Sequence, residues 1–393
     1  MRPAFSKNIA GMSGNVIREI LKLTQQPEVI SFAGGMPPVD AFPVDSLREI
    51  SEMVFDKYKG GIFQYGTSEG FLPLREFIVT WMAEKGVKTE LDEVLITSGA
   101  QQGIDLMAKA FLNSGDGVVI EKPTYLAAIQ IFSLYGAEFV YGDADEQGFV
   151  PQSLRRAAGE KNCKLLYLVS NFQNPTGITL AGERRQELAD LLSELEMVLI
   201  EDDPYGNLRY SGDHIKPVKS YDRENRVVYL GSFSKIISPG LRVGFAVGPK
   251  EIVDKLVIGK QASDVHTSNL TQAIIYEFCA QGLIKPHIES LKVHYRKKRD
   301  LMLELMSVHF PPTATWARPE GGLFIWVQLP EGTVATALFK EAIKEKVAFI
   351  PGGSFYAGGG GANTLRLNFS NASVGQIEEG IIRLGKVMNK FMA

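Results

Sequence analysis

Cysteine is scarce in this chain: two residues, Cys163 and Cys279, in 393. They lie far apart and outside any metal-ligand spacing, so neither a disulfide framework nor a metal site is indicated, and both read as buried small hydrophobes. Long hydrophobic runs are also missing. Nothing approaches the ~18 consecutive apolar residues of a membrane span, and the opening stretch MRPAFSKNIAGMSGNVIREIL holds no uninterrupted apolar segment of signal-peptide type. A cytoplasmic location without membrane contact is the expectation. An excess of one charge is lacking as well. Lys and Arg number 42 against 45 Asp and Glu, a net charge of -3, which gives no reason to expect nucleic acid or an acidic membrane as partner. There is no internal repeat and no long low-complexity segment.

What is present is ordinary globular material, 45% hydrophobic and 22% charged, in a length that suggests two domains. Residues 13–23 place apolar side chains mainly on one helical side, with Arg18 toward its edge. The loop SFAGGMPPVDAFP follows, then a helix started by a capping box of Ser46 and Glu49, the exposed loop QYGTSEG, and a helix over 72–85. From Val94 the pattern becomes short apolar strands alternating with helices: EVLIT, GVVIE, EFVYG, KLLYLVS, MVLIE and VVYLG. Strands apolar on both faces and separated by helices predict an α/β fold, a mostly parallel sheet flanked by helices. Beyond a long helix over 285–308, the strand-like TATWARP, GLFIWVQ, VAFIPG and NTLRLNF predict a smaller α+β domain. The expected division is a large domain over 45–284, with 1–44 and 285–393 making the small one and its N-terminal capping segment. GGGG at 358–361 reads as a loop, because no helix start follows it.

Ligands bind such sheets at the carboxyl ends of their strands. TSGAQQG, EKPTY, SNFQNPTG, EDDPY and GSFSK each follow a strand, which predicts one crevice. At its centre is Lys235, on the polar segment between the apolar runs Val227–Leu230 and Val243–Val247. An unpaired ammonium is costly to bury, so this lysine needs solvent or a partner. Ser232, Ser234 and Arg242 beside it suggest an anion site such as phosphate, with the amine free to react with a carbonyl. In TSGAQQG the helix-start amides near Gly99, Ala100 and Gln101 could serve the same anion, although an ordinary capping turn is the better reading of that stretch alone. Asn174 is aimed by a Pro-Gly turn. Asp202 at a buried strand end needs a cation or donors, leaving Glu201 or Asp203 for structural hydrogen bonds. Tyr125 could lie flat on an aromatic ligand. Pyridoxal phosphate fits the set: it needs an amine for its aldehyde, donors for its phosphate, a carboxylate for its ring nitrogen and a donor for its 3-oxygen.

SGAQQG, NPTG, DDPY and SFSKIISPGLRVG, with SFAGGMP, PGGSFY and NTLRLNF, resemble the fold-type I, class I/II pyridoxal-phosphate aminotransferases over essentially the whole chain, most nearly the 2-aminoadipate and kynurenine aminotransferase group. The resemblance implies an aminotransferase moving an amino group from an L-amino acid (2-aminoadipate, aromatic, branched-chain or glutamate type) to a 2-oxo acid such as 2-oxoglutarate. It implies a homodimer as well. Lys235 would form the Schiff base and shuttle the proton, Asp202 pair with the ring nitrogen, Asn174 and Tyr205 donate to the 3-oxygen, and Tyr125 stack on the ring. Ala100, Gln101, Ser232, Ser234 and Arg242 would hold the phosphate, together with Tyr65 of the partner subunit. Relatives often carry serine at the position of Ala100, so one hydroxyl contact is lost. Arg366 would grip the substrate α-carboxylate, whereas strand alternation alone leaves it open whether its face is solvated. Gly35 would approach the substrate through its backbone, and Arg18 would meet a distal carboxylate.

Three other readings remain open from the residues. A lyase, decarboxylase or racemase of the same fold would use Lys235 and Asp202 equally. A non-enzymatic ligand-sensing domain, of the kind found behind a DNA-binding helical domain, is disfavoured by the absence of a basic segment ahead of the first helix. Ser232 to Lys235 spells the S-x-x-K of serine acyl hydrolases but lacks the accompanying K-T-G.

Overall fold

The apolar runs become strands at the places their patterning predicts. In the computed structural model, which describes residues 4–10 and 26–392, a short β1 (Ile30–Ser31) precedes β2 (Val94–Thr97), β3 (Gly117–Ile120) and β4 (Glu138–Tyr141). A two-residue pair, β5 (Ala144–Asp145) and β6 (Gly148–Phe149), is followed by β7 (Cys163–Val169), β8 (Val198–Asp203), β9 (Val227–Ser232) and β10 (Gly244–Val247). The main sheet has the order β2-β10-β9-β8-β7-β3-β4. From β4 to β9 the pairings are parallel, and β10 is antiparallel to both β9 and β2. The mostly parallel sheet is therefore as expected.

Its strands are apolar throughout because both faces are covered. Along β7, Leu165, Tyr167 and Val169 join one hydrophobic core while Leu166 and Leu168 join another on the opposite face. That two-residue alternation is the pleat of the strand. Helices Ala100–Phe111, Leu126–Leu134 and Gly182–Glu194 follow β2, β3 and β7. They return the chain so that strand ends carrying polar residues open at one edge.

The second sheet, β11 (Thr315–Trp316), β12 (Phe324–Gln328), β14 (Ile350–Pro351) and β15 (Thr364–Asn368), is antiparallel in the order β11-β12-β15-β14. Between them in sequence, β13 (Val347–Ala348) pairs in parallel with β1. The run VAFIPG thus divides between two sheets instead of forming one strand. The long helix Ile284–His309 packs along the C-terminal helix Val374–Met392.

Two local expectations are corrected. The helix with the supposed capping box begins at Val44, with Pro43 at its N-cap and no side-chain cap, so Ser46 and Glu49 lie inside its first turns. Cys279 is buried as expected, but Cys163 is only half-buried at the start of β7. The predicted helix over 13–23 falls outside the described residues.

One buried side chain holds the loop after β7. Arg185 is fully buried and donates to the Leu180, Lys216 and Ser170 carbonyls and to Asn171 Oδ1, at 2.8 to 3.1 Å. Replacing it by methionine takes the guanidinium from the Leu180 and Lys216 carbonyls and Asn171 Oδ1, while the Ser170 carbonyl keeps the Leu180 amide. We expect Arg185→Met to lower the free energy of unfolding by about 3 kcal/mol, measured by urea denaturation. An unchanged midpoint would show that the guanidinium does not hold this loop.

Candidate active site

The carboxyl ends of the main-sheet strands and the edge of the smaller sheet enclose a cavity of about 340 Å³. Gly35, Ala100, Gln101, Tyr125, Asn174, Asp202, Tyr205, Ser232, Ser234, Lys235, Arg242 and Arg366 all line it. Tyr65 does not: it is 81% exposed, its ring edge-on to His266 at 5.9 Å. Arg18 lies outside the described residues. Sequence reasoning missed Val169, Phe324 and Phe355 on the cavity wall. Val169 and Phe324 sit in apolar runs, where pattern signals only core, and Phe355 sits in the glycine-rich PGGSFY, where nothing marks the direction of its ring.

Lys235 occupies the turn after β9. Phe233, Ile236 and Ile237 around it are each 2% exposed, and this apolar anchor leaves the lysine side chain to enter the cavity. Its Nζ donates to the Gly35 carbonyl at 2.8 Å. Among the described residues no carboxylate pairs with it. Burial, reinforced by the positive charges of Arg366 and Arg242, brings its pKa down to about 8.

On β8 the pleat separates three adjacent acids. Glu201 accepts from the Val218 and Lys219 amides at 2.9 Å, and Asp203 from the Gly206 amide and Tyr229 hydroxyl at 2.8 Å. Both are therefore consumed structurally. Asp202 faces the cavity instead: its Oδ2 accepts from the Tyr167 hydroxyl at 2.7 Å, while its buried Oδ1 has no partner. Burial pushes its pKa up to about 7, against the opposing pull of the Tyr167 hydrogen bond. A cationic N–H aimed at Oδ1 would both satisfy that oxygen and keep the carboxylate ionised.

The anion end is built by close backbone approach. Gly99, at φ 82°, caps the helix Ala100–Phe111, and a Cβ there would lie 2.5 Å from Arg242 Nη2. A Cβ on Gly244 would lie 2.7 Å from the Ala100 amide nitrogen. Only glycine at both positions lets the turn, β10 and Arg242 meet. Arg242 is itself left-handed, at φ 54° and ψ 45°, and its Nη2 donates to the Ser98 carbonyl at 3.1 Å. Helix-start amides, the Ser232 and Ser234 hydroxyls and a guanidinium form a donor set suited to phosphate.

Opposite lies Arg366, in the middle of β15. At 5% exposure it is not on a solvated face. Its Nη1 donates to Asn174 Oδ1 and its Nη2 to the Ala33 carbonyl, both at 2.7 Å. Its guanidinium stacks on the rings of Phe324 at 4.1 Å and Phe355 at 5.1 Å, and its Nε is buried without a partner. Burial lowers its pKa to about 10, which leaves it charged at neutral pH. Tyr205 and Tyr125 complete the wall, and burial raises both phenols, Tyr125 to about 12, so both are neutral donors.

Comparison with known proteins agrees with this geometry. Residues 27–384 match the family model described as aminotransferase class I and II. The chain is 40% identical to an aromatic-amino-acid aminotransferase of Thermococcus litoralis, over 99% of this chain and 94% of the relative. It is also 40% identical to a 2-aminoadipate transaminase of Thermus thermophilus, over 99% of this chain and 98% of that protein. A crystal structure of Pyrococcus horikoshii kynurenine aminotransferase superposes with a TM-score of 0.95 at 40% identity, covering 99% of this chain and 98% of that one.

The burial of Asp202 has a measurable consequence for the cofactor-free protein. Its carboxyl titrates at 3.8 when unfolded and near 7 when folded, so the folded state binds the extra proton in between. Stability contributed by that proton falls as pH rises from about 4 to about 7 and is constant above. Asp202→Asn keeps an acceptor for Tyr167 and removes the titration. Its stability relative to wild type should therefore rise across that window in urea unfolding at a series of pH values; a flat difference would mean that Asp202 ionises normally in the cavity.

Proposed function

The chain belongs to the aminotransferase class I and II family and is a pyridoxal-phosphate-dependent transaminase, and from that premise we propose which residues carry the reaction and which amino acids it takes. The observation that carries the reading is that one cavity holds three buried charged groups with unmet needs: Lys235 without an acid, Asp202 with a free oxygen, and Arg366 paired only to neutral acceptors. Pyridoxal phosphate, when bound, supplies an aldehyde that condenses with amines and a ring that withdraws electrons from the attached carbon. Its chemical groups match the donors present.

In this reading Lys235 Nζ would hold the cofactor through its aldehyde and, once free, would be the group that takes and returns the proton at the substrate α-carbon. A pKa near 8 suits both roles, because about a fifth of the amine is neutral near pH 7.4 and the rest carries a proton to give. Asp202 Oδ1 would pair with the ring N–H, Asn174 and Tyr205 would donate to the 3-oxygen, and Tyr125 would lie against the ring. Ala100 and Gln101, Ser232, Ser234 and Arg242 bind the phosphate. Arg366 takes the substrate α-carboxylate with two prongs, with Asn174 and the Gly35 backbone beside it. Residues 45–284 form the cofactor-binding domain, and 1–44 with 285–393 form the smaller one that brings Arg366.

We further propose a cytoplasmic homodimer, with Tyr65 of the partner subunit completing the phosphate site. The exposure of Tyr65 beside the exposed Phe55, Phe63 and Leu72 supports this. The donors proposed are 2-aminoadipate, aromatic, branched-chain and glutamate-type L-amino acids, with 2-oxoglutarate as acceptor, and Arg18 meets a distal carboxylate where one is present. The names of the Thermococcus, Thermus and Pyrococcus relatives support that range.

Two measurements test these assignments. Adding a donor amino acid alone should convert the bound cofactor to its amine form, seen as loss of the visible absorbance band. Lys235→Ala should abolish the conversion, and Arg18→Ala should slow it for aminoadipate and glutamate but not for aromatic donors; equal rates for all donors would remove Arg18 from the site. Arg366→Lys retains charge and loses the two-pronged geometry, so kcat/KM should fall by about 10²-fold, mainly through KM. An unchanged value would assign the α-carboxylate elsewhere.

A further inference from the structure

Behind the proposed phosphate seat lies a polar knot that the reaction itself does not use. Lys260, on the helix Lys250–Gln261, is fully buried. Its Nζ donates to Gln102 Oε1 at 2.7 Å, to Asp264 Oδ1 at 3.0 Å and to Thr267 Oγ1 at 2.9 Å. Two of these partners lead straight to the turn between β2 and its helix. Gln102 Oε1 also accepts from the Ser98 amide, and its Nε2 donates to Asp264 Oδ2, both at 2.8 Å. The Ser98 hydroxyl donates to the same Asp264 Oδ2 at 2.9 Å. Ser98 is thus held on one side by Arg242 through its carbonyl and on the other by the Lys260–Asp264–Gln102 group through its amide and hydroxyl.

We propose that Lys260 is a positioning residue for the cofactor phosphate. Together with Asp264 and Gln102 it fixes the turn that presents the Ala100 and Gln101 amides, and it neutralises a carboxylate directly behind the seat of a dianion. The proposal rests on the reading that this turn holds phosphate. A buried ammonium on hydrogen-bonded partners is costly to remove by halves: without Lys260, Asp264 keeps its charge, still bonded to Ser98 and Gln102, and repels the phosphate across one turn. The loss should therefore be specific to the phosphorylated cofactor.

The experiment titrates cofactor-free protein with pyridoxal phosphate and, separately, with pyridoxal, which lacks the phosphate. For Lys260→Met the dissociation constant for pyridoxal phosphate should rise about 10- to 100-fold, in the range usual for residues that orient a binding group from behind. Affinity for pyridoxal should stay within about two-fold, as should kcat at saturating cofactor. Lys260→Met/Asp264→Asn should recover part of the phosphate-specific loss. Gln102→Leu cuts the same link while leaving the Lys260–Asp264 ion pair in place, so it should show the selective loss even if Lys260→Met folds poorly. Equal weakening of both ligands, or no weakening of pyridoxal phosphate in either variant, overturns the proposal. A wild-type protein that binds no pyridoxal phosphate defeats the reading of the site itself, an outcome distinct from wild-type binding with unaffected variants.

Discussion

Burying charge without pairing it is the constraint on which this structure turns. Lys235, Asp202 and Arg366 sit in one cavity, and none has an opposite charge as partner. The protein tolerates this by moving their proton affinities toward neutrality, the lysine down to about 8 and the aspartate up to about 7. Those shifts are the cost of holding a site ready. The family's cofactor and substrate carry the complementary groups: a protonated ring nitrogen for the acid, a carboxylate for the guanidinium and an aldehyde for the amine. Ligand binding then relieves strain already present, which is the sense in which the cavity is preorganised.

Secondary structure sorts residues of the same type into different work. Three consecutive acids on β8 have three fates because successive side chains leave opposite faces of the sheet. Glu201 and Asp203 meet amides and a tyrosine hydroxyl away from the cavity, which leaves Asp202 alone inside it. Phenylalanines are divided in a similar way. Phe233 anchors the lysine turn from below, while Phe324 and Phe355 cover the Arg366 guanidinium, holding it flat and dry without neutralising it.

Much of this was legible in the chain because the chemistry sits at strand ends, and strand ends are marked by abrupt changes from apolar runs to glycine, proline and acids. TSGAQQG, SNFQNPTG, EDDPY and GSFSK each line the cavity as their positions predict. What was not legible depended on neighbours distant in sequence. Alternation in NTLRLNF cannot say that both faces of β15 are covered, so burial of Arg366 emerges only with the rings of Phe324 and Phe355 in place. The spacing of Ser46 and Glu49 satisfies a capping rule, yet Pro43 already sets the chain direction and the helix starts two residues earlier. Nothing in the sequence sets Lys260 apart; its burial follows from loop 262–268 folding back onto the turn at Ser98.

The cavity also brings one loop within reach of the groups proposed for cofactor and for substrate. Residues 33–35 connect the two sheets, and two donors hold them: Arg366 Nη2 on the Ala33 carbonyl and Lys235 Nζ on the Gly35 carbonyl. Arg366 Nη1, meanwhile, spends its hydrogen bond on Asn174 Oδ1 of the main domain. On the proposed assignments each of these donors is wanted elsewhere, the lysine by the cofactor aldehyde and the arginine by the substrate carboxylate. Arg366 Nη1 and Nη2 each carry two N–H groups and an ammonium carries three, so a ligand would share these donors with the loop carbonyls, and the hold on this loop would change only as far as the donors turn toward the ligand. The loop carries no charged side chain of its own between Phe32 and Pro37, and nothing else in that stretch competes for the ligand. On those assignments its backbone would be the placeholder that satisfies the Lys235 amine and the buried Arg366 guanidinium in the absence of their partners.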